Sequence, residues 1–184
     1  MKILQEIKEK VKNKQINSLA NKLEKKFSVN SFDSLGNLQE LAYWLFVLSK
    51  DDLSEKVCDI IETEHFKGDI ELWSPIEYVK SLKCKFLLRK GKMEEVKTIT
   101  DEIVTVNKNS KGFIRRLNGS LLPTEEINCA LKENNVKRAM NYTFSQISDL
   151  VLIEIMGGSE KIPKEKAQEM INNSIDYILK NIDL

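Results

Sequence analysis

The chain has 184 residues, of which 41% are hydrophobic and 31% charged, a globular mixture that excludes an intrinsically disordered protein. Its formal net charge of +1 shows no overall basic excess. This argues against a dedicated nucleic-acid-binding domain, because phosphate contacts supply most of the affinity of such domains. With only 7 glycines and 3 prolines, the composition favours helices in a single all-helical domain over residues 1–184.

Apolar residues recur at helical spacing from the start of the chain. Residues 3–27 predict one bent helix or two short ones, because the apolar phase breaks around Asn13–Gln15. Residues 28–37 are rich in turn formers and are expected to form a connection. The stretch over 38–50 is apolar almost all round, which is typical of a helix buried on several sides.

Start and stop signals place the next helices. Asp52 and Glu55 match a capping box, in which each side chain accepts a hydrogen bond from the other residue's amide. Ser74 is a good N-cap, and Pro75 suits the first turn of the helix that follows. Gly91 ends that helix and starts the turn into another.

The second half continues the helical pattern. Residues 107–123 form the longest irregular stretch, which is either functional or merely mobile. If the single domain has an internal boundary, we expect it in this stretch. A short helix from Thr124, a long one from Val136 to Met156 and a final one after Pro163 are predicted. The fold class is therefore all-α, with about seven to nine helices as antiparallel hairpins in a stacked array or an irregular bundle.

One stretch, FLLRKGKMEEVKTI at 86–99, reads as the end of one helix, a turn and the start of another. Gly91 turns the chain, the run Lys-Met-Glu-Glu-Val follows it, and Cys84 fills a small position in the helix before the turn. This resembles the tetratricopeptide pattern, and the resemblance covers roughly residues 38–106. It implies stacked antiparallel helices whose concave surface binds a peptide or another protein. An irregular helical bundle is the alternative.

Three lysines near this turn, Lys80, Lys83 and Lys90, are the candidate partner-binding residues. On a helical wheel of residues 75–90, Lys83 falls between two apolar stripes, where a simple core helix would carry Leu or Ile. Its ammonium must find a carboxylate or reach water along its apolar stem. Two interpretations stay open: Lys83 lies at the edge of a hairpin interface, or the three lysines line a groove for an acidic partner segment.

Residues capable of catalysis or metal binding are scarce. The only histidine, His65, has no second histidine to share a zinc ion and is expected at the surface near a helix end. Cys58, Cys84 and Cys129 form no CxxC pair and are expected to be buried, reduced thiols. We therefore expect no catalytic residue, no metal and no cofactor.

Three further stretches suggest local roles. Glu154 is the one acid inside an apolar run, so we expect it at the edge of the buried stripe, paired with a lysine. The segment KGFIRR at 111–116 interleaves an aromatic residue with cations, as nucleic-acid loops do, although it is a single short cluster in a neutral chain. GGSEKIPKEK at 157–166 lacks the spacing of a phosphate-binding loop and predicts a helix end and a loop.

No segment predicts contact with a membrane. The most apolar window, 150–156, is too short to span a bilayer. The first residues, MKILQEIKEK, lack the uninterrupted apolar stretch of a signal peptide. We expect a soluble, bacterial-style cytoplasmic protein.

The leading hypothesis is a non-catalytic module that binds another protein or peptide, as an inhibitor or immunity-like protein or as an adaptor. The alternatives are an enzyme whose site is assembled only in the fold, and an accessory protein that binds nucleic acid.

Overall fold

The computed structural model describes residues 2–29, 31–64 and 66–181, and this part of the chain is all-α, without a strand. The all-α prediction is confirmed, and the described residues contain one helix more than the upper end of the expected number. The helices are α1 Lys2–Lys10, α2 Lys14–Lys26, α3 Phe32–Val47, α4 Asp51–Glu62, α5 Ile70–Arg89, α6 Met93–Asn107, α7 Lys111–Leu117, α8 Thr124–Lys132, α9 Val136–Ile155 and α10 Lys164–Asn181.

The chain divides into two compact units. Unit 1 extends to Lys83 and unit 2 begins at Cys84, so that the boundary falls within α5. The expectation of a single domain, with a softer division near 107–123, stays a prediction. His65 lies outside the described residues.

In unit 1, the predicted phase break separates α1 from α2. The Asn13 side chain accepts hydrogen bonds from the amides of Gln15 at 2.9 Å and Ile16 at 3.2 Å, which caps the second helix. The two-helix alternative is therefore correct. Farther along, α3 and α4 form a hairpin, in which the buried Ser54 hydroxyl donates to the carbonyl of Ala42 at 2.8 Å.

Two predicted helix starts in unit 1 are wrong. Helix α3 begins at Phe32, inside the expected connection, because Ser31 accepts from the amide of Ser34 and serves as its N-cap. Helix α4 begins at Asp51, and its N-cap Lys50 makes no side-chain capping hydrogen bond. Since Asp52 already lies in the first turn, it cannot form the expected capping box.

The start of α5 also differs from the prediction. The helix begins at Ile70, where the Asp69 carboxylate accepts from the amide of Glu71 at 3.0 Å, and Pro75 lies inside it. The extra turn contains the buried Trp73, and the centroids of the Trp73 and Phe66 rings are 5.0 Å apart. Burial of this large aromatic side chain outweighs the helix-start signal of the proline.

In unit 2, the quoted stretch forms the predicted hairpin between the end of α5 and α6. Cys84, Leu87 and Val96 are buried together, with Leu88 and Ile99 packed alongside. Whether this hairpin belongs to a repeat array stays a prediction.

The segment 107–123, expected to be irregular, contains α7. The Ser110 hydroxyl accepts from the amide of Phe113 at 3.2 Å, and the Phe113 side chain is buried. A serine cap and one buried aromatic residue are enough to order a helix of 7 residues that is too short to show a periodic pattern.

The long helix α9 packs against both α8 and α10. Its end is followed by a tight reversal in which Gly158 has φ +95 and forms an isolated bridge with Pro163. A Cβ atom on Gly158 would lie 2.6 Å from the amide nitrogen of Lys164. Only glycine fits here, and the reversal brings the start of α10 back beside the end of α9.

Candidate functional site

A buried carboxylate near the end of α9 forms the centre of the candidate site. Glu154 is only 6% exposed, and both of its oxygens are engaged. Oε2 accepts from the ammonium of Lys85, and Oε1 accepts from Nε2 of Gln168 at 2.9 Å. The prediction that Glu154 pairs with a lysine is confirmed.

The lysine partner is also largely removed from solvent. The Lys85 side chain is 12% exposed and lies on the last part of α5. Such a pair is held together because a buried charge left alone is costly to desolvate, whereas two opposite charges neutralise each other. The pair is therefore a matched unit, and loss of either member leaves the other uncompensated.

The pair lies at a cleft of about 480 Å³ in unit 2. The residues that line it are Lys85, Leu88, Arg89, Glu154, Lys164, Gln168 and Asn172. Three of these are cationic and one is anionic, so the formal charge of the lining residues is +2. The cleft can therefore attract and hold an anion.

Helical spacing explains how the cleft is built. On α5, Lys85 and Arg89 are four residues apart and so share one face. On α10, Lys164, Gln168 and Asn172 repeat the same four-residue spacing. Each helix thus presents a polar stripe to the cleft. Sequence analysis missed these stripes, although the spacing on α10 is a signal that could have found the second one.

The chemistry that this lining supports is limited. Glu154 is its one carboxylate, so the lining supplies no second acid for paired acid–base catalysis. Within the described ranges, no group of three or more His, Cys, Asp or Glu residues could hold a metal ion. The other polar side chains of the lining carry N–H donors, and its guanidinium and ammonium groups favour contact with carboxylate or phosphate oxygens.

The structure places the three predicted partner-binding lysines in different settings. Lys83 donates to Asp59 of α4 at 2.7 Å and also to Glu62. Lys80 is half-buried in unit 1, and Lys90 is exposed in the turn after α5 in unit 2. The expectation that Lys83 finds a carboxylate is confirmed. A groove formed by all three lysines stays a prediction.

The ion pairs of Lys83 decide its protonation. Partial burial lowers the pKa of Lys83, but the hydrogen bonds that its ammonium donates to Asp59 and Glu62 outweigh this effect and raise the pKa above its ordinary value. The ammonium is therefore charged at neutral pH and occupied within unit 1.

The aromatic residue of KGFIRR is not available for base stacking. Phe113 is 4% exposed, whereas its neighbour Ile114 is 48% exposed. An aliphatic side chain offers no π face to a base, so the feature that suggested nucleic-acid contact is missing from this surface.

The cysteines divide into two groups. Cys58 and Cys84 are buried, as predicted, and burial raises the pKa of the Cys58 thiol. Cys129 is exposed on α8, so the expectation that it is buried is wrong. In α8, only Ala130 is buried among the described side chains, and Cys129 precedes it on another face.

Unit 1 contains a larger cavity of about 760 Å³ beside α1 and α4. Here Glu6 accepts from Lys10 at 2.8 Å and Lys56 at 2.9 Å, and these hydrogen bonds lower the pKa of Glu6 to about 2. The lining is rich in acids: Glu6, Asp51, Asp52, Glu55 and Asp59, against Lys10, Lys50 and Lys56. Its charge is opposite to that expected for docking an acidic partner.

Fold and site together define an all-α protein whose described part carries a cationic cleft over a buried ion pair. The model of the family of unknown function DUF6707 matches residues 1–180, and the chain belongs to that family. No curated protein and no solved structure shows a significant match. Among the helices described above, none combines the length and the apolar character needed to cross a membrane.

Proposed function

We propose that this protein is a non-catalytic binding module of the helical-hairpin type, which docks an acidic segment of another protein in the cleft at α5, α9 and α10. The observation that carries the proposal is the formal charge of +2 on the residues that line the cleft, to which α5 contributes Arg89 and α10 contributes Lys164.

The lining fits a carboxylate side chain better than other ligands. A guanidinium such as that of Arg89 is a planar fork of N–H donors that matches a carboxylate, and the ammonium of Lys164 is a compact point charge. The amide of Asn172 adds a neutral donor, and the half-buried Leu88 offers an apolar contact for the stem of a glutamate. The cleft volume lies within the range of about 300–1,000 Å³ that is usual for ligand sites.

Charge of this kind acts mainly on the association rate and on discrimination between partners. A module without catalytic groups that selects an acidic segment suits an inhibitor or immunity-like protein, or an adaptor. A cytoplasmic location is part of this proposal, because the reduced thiols Cys58, Cys84 and Cys129 are typical of a reducing compartment.

Two experiments test the proposal. Affinity purification from the native cell identifies the partner, and titration of the full chain with labelled peptides tests the cleft directly. A glutamate-rich and a lysine-rich peptide of equal length are compared by fluorescence anisotropy at low and at physiological salt. We expect the glutamate-rich peptide alone to bind, and its affinity to fall as salt rises.

Variants locate the binding. R89Q/K164Q should weaken binding of the glutamate-rich peptide by about tenfold or more, since it lowers the formal charge of the lining residues from +2 to 0. K132Q/K137Q is the matched control, because it removes the same charge from exposed positions of unit 2. Lys137 lies 17 residues before Glu154 on α9, a distance of about 25 Å along the helix. Equal binding of both peptides, or no loss in R89Q/K164Q, would overturn the proposal.

A further inference from the structure

We propose that Glu154 is an internal competitor for the cleft: its carboxylate occupies Lys85 and lowers the affinity of the cleft for an acidic partner segment. This inference rests on the proposed function. It assigns to a residue of this chain the role of setting how tightly the partner binds.

Glu154 lies in the lining of the cleft, beside the groups that a partner carboxylate would contact. Its carboxylate is bonded to Lys85 and Gln168, and both of these residues line the cleft, as does Glu154 itself. An incoming carboxylate therefore meets a lysine whose positive charge Glu154 already neutralises. Because Glu154 is buried, water and salt screen its charge less than they would at an exposed position.

Glu154 also changes which of the cations in the lining can contact a partner. Lys85 is the least exposed of the three cations in the lining, and its ammonium already donates to Glu154. A partner carboxylate either stays with Arg89 and Lys164 or approaches Lys85 and shares it with Glu154. In the first case the partner gains no contact with Lys85, and in the second two like charges come close together; both lower the affinity.

A purely structural role for the pair makes a different prediction. If Glu154 only neutralises a buried lysine, its charge has no effect on a ligand in the cleft, and substitutions change folding alone. The two roles are separated by measuring peptide affinity on folded protein, since affinity then reports the charge and not the stability.

Three variants of the full chain make the test. E154Q removes the negative charge, keeps the shape and retains a carbonyl oxygen that accepts from Gln168, so Lys85 is released. We expect it to bind the glutamate-rich peptide at least about fivefold more tightly than the wild type, the low end of typical coupling between sites. K85Q should bind more weakly, and K85Q/E154Q should bind close to the wild type, because the formal charge of its lining residues is again +2.

The comparison remains decisive if E154Q does not fold. K85Q and K85Q/E154Q both lack the lysine and differ only in the charge at residue 154. Tighter binding by the double variant supports the inference, and equal binding overturns it. Circular dichroism establishes that each variant is folded before affinity is measured.

Failure of this inference is distinguishable from failure of the proposed function. If wild type binds, R89Q/K164Q binds weakly and E154Q binds like wild type, only the competitor role is overturned. If the wild type does not bind the glutamate-rich peptide at low salt, the proposed function and this inference fall together.

Discussion

Lys85 and Glu154 stand 69 residues apart in the sequence and form an ion pair in which both side chains are largely buried. The pair joins α5 to α9, and Gln168 adds a contact from α10. One polar cluster thereby connects three helices of unit 2 at the cleft, so the site and the local stability of the unit depend on the same residues.

Substitutions of Lys85 and Glu154 should have strongly coupled effects on the free energy of unfolding. K85M or E154M alone should lower the free energy of unfolding by about 1–3 kcal/mol, less than for a fully enclosed pair because the cleft admits water. The double variant K85M/E154M should recover most of that loss, since it leaves no uncompensated charge. Urea denaturation of the four proteins gives the coupling energy, and additive losses would contradict the prediction.

The reversal after α9 should depend on one glycine. G158A should lower the free energy of unfolding by about 2–3 kcal/mol, because its Cβ meets the backbone of Lys164 in addition to the unfavourable positive φ. G157A is the matched control: it also has positive φ, at +85, but no heavy atom outside its chain neighbours lies within 4 Å of the new Cβ. Thermal and urea unfolding should therefore show a larger loss of stability in G158A than in G157A. Equal losses of stability would show that the contact with Lys164 is unimportant.

The three thiols should react at two different rates. Cys129 should be labelled rapidly by an alkylating reagent in the folded protein, because it is exposed. Cys58 and Cys84 should react slowly until denaturant is added, since both are buried. Mass spectrometry of timed samples assigns each site, and C129S should remove the fast phase. A fast phase that persists in C129S would mean that one of the other two is accessible.

The carboxyl group of Glu6 should titrate at a much lower pH than that of an ordinary glutamate. Hydrogen bonds from Lys10 and Lys56 lower the pKa of Glu6 from 4.5 to about 2. Its folded-state pKa is depressed, so its contribution to stability is present above pH 4.5 and is lost as the pH falls toward 2. NMR of the side-chain carboxyl carbon measures the midpoint directly.

K10Q/K56Q is the control for this titration. Removal of both lysines should return the midpoint of Glu6 to the ordinary range, and an unchanged low midpoint would show that another group lowers the pKa. The effect on overall stability should be small, because Glu6 is only half-buried, both lysines are exposed, and ion pairs at the surface contribute little.

The lysines around the α5–α6 turn should not contribute to binding of the glutamate-rich peptide. K80Q/K83Q/K90Q should keep the wild-type affinity and salt dependence, because the Lys83 ammonium is occupied by Asp59 and Glu62. It should lose about 1 kcal/mol of stability, since Glu62 then lacks its cation. A folded triple variant with weakened binding and a smaller salt dependence would instead favour a groove formed by these lysines.

Local patterns in the sequence predicted the helices well where several signals agreed. The predicted helix from Val136 to Met156 matches α9 to within one residue, because apolar periodicity and the glycines after it point to the same ends. The break at Asn13–Gln15 was equally visible, since the loss of apolar phase coincides with a good N-cap residue. These features depend on neighbours within a few residues, and such neighbours can be read from the sequence.

Tertiary structure decided the features that depend on distant residues. Burial of Trp73 extends α5 upstream of Pro75, against the local start signal. Periodicity marked Glu154 as an acid in an apolar stripe and predicted a lysine beside it, but among the many lysines of the chain nothing local identified Lys85 as that partner. The packing of the helices brings Lys85 and Glu154 together across 69 residues of sequence. Only then does the cost of burying an unpaired charge favour the ion pair between them.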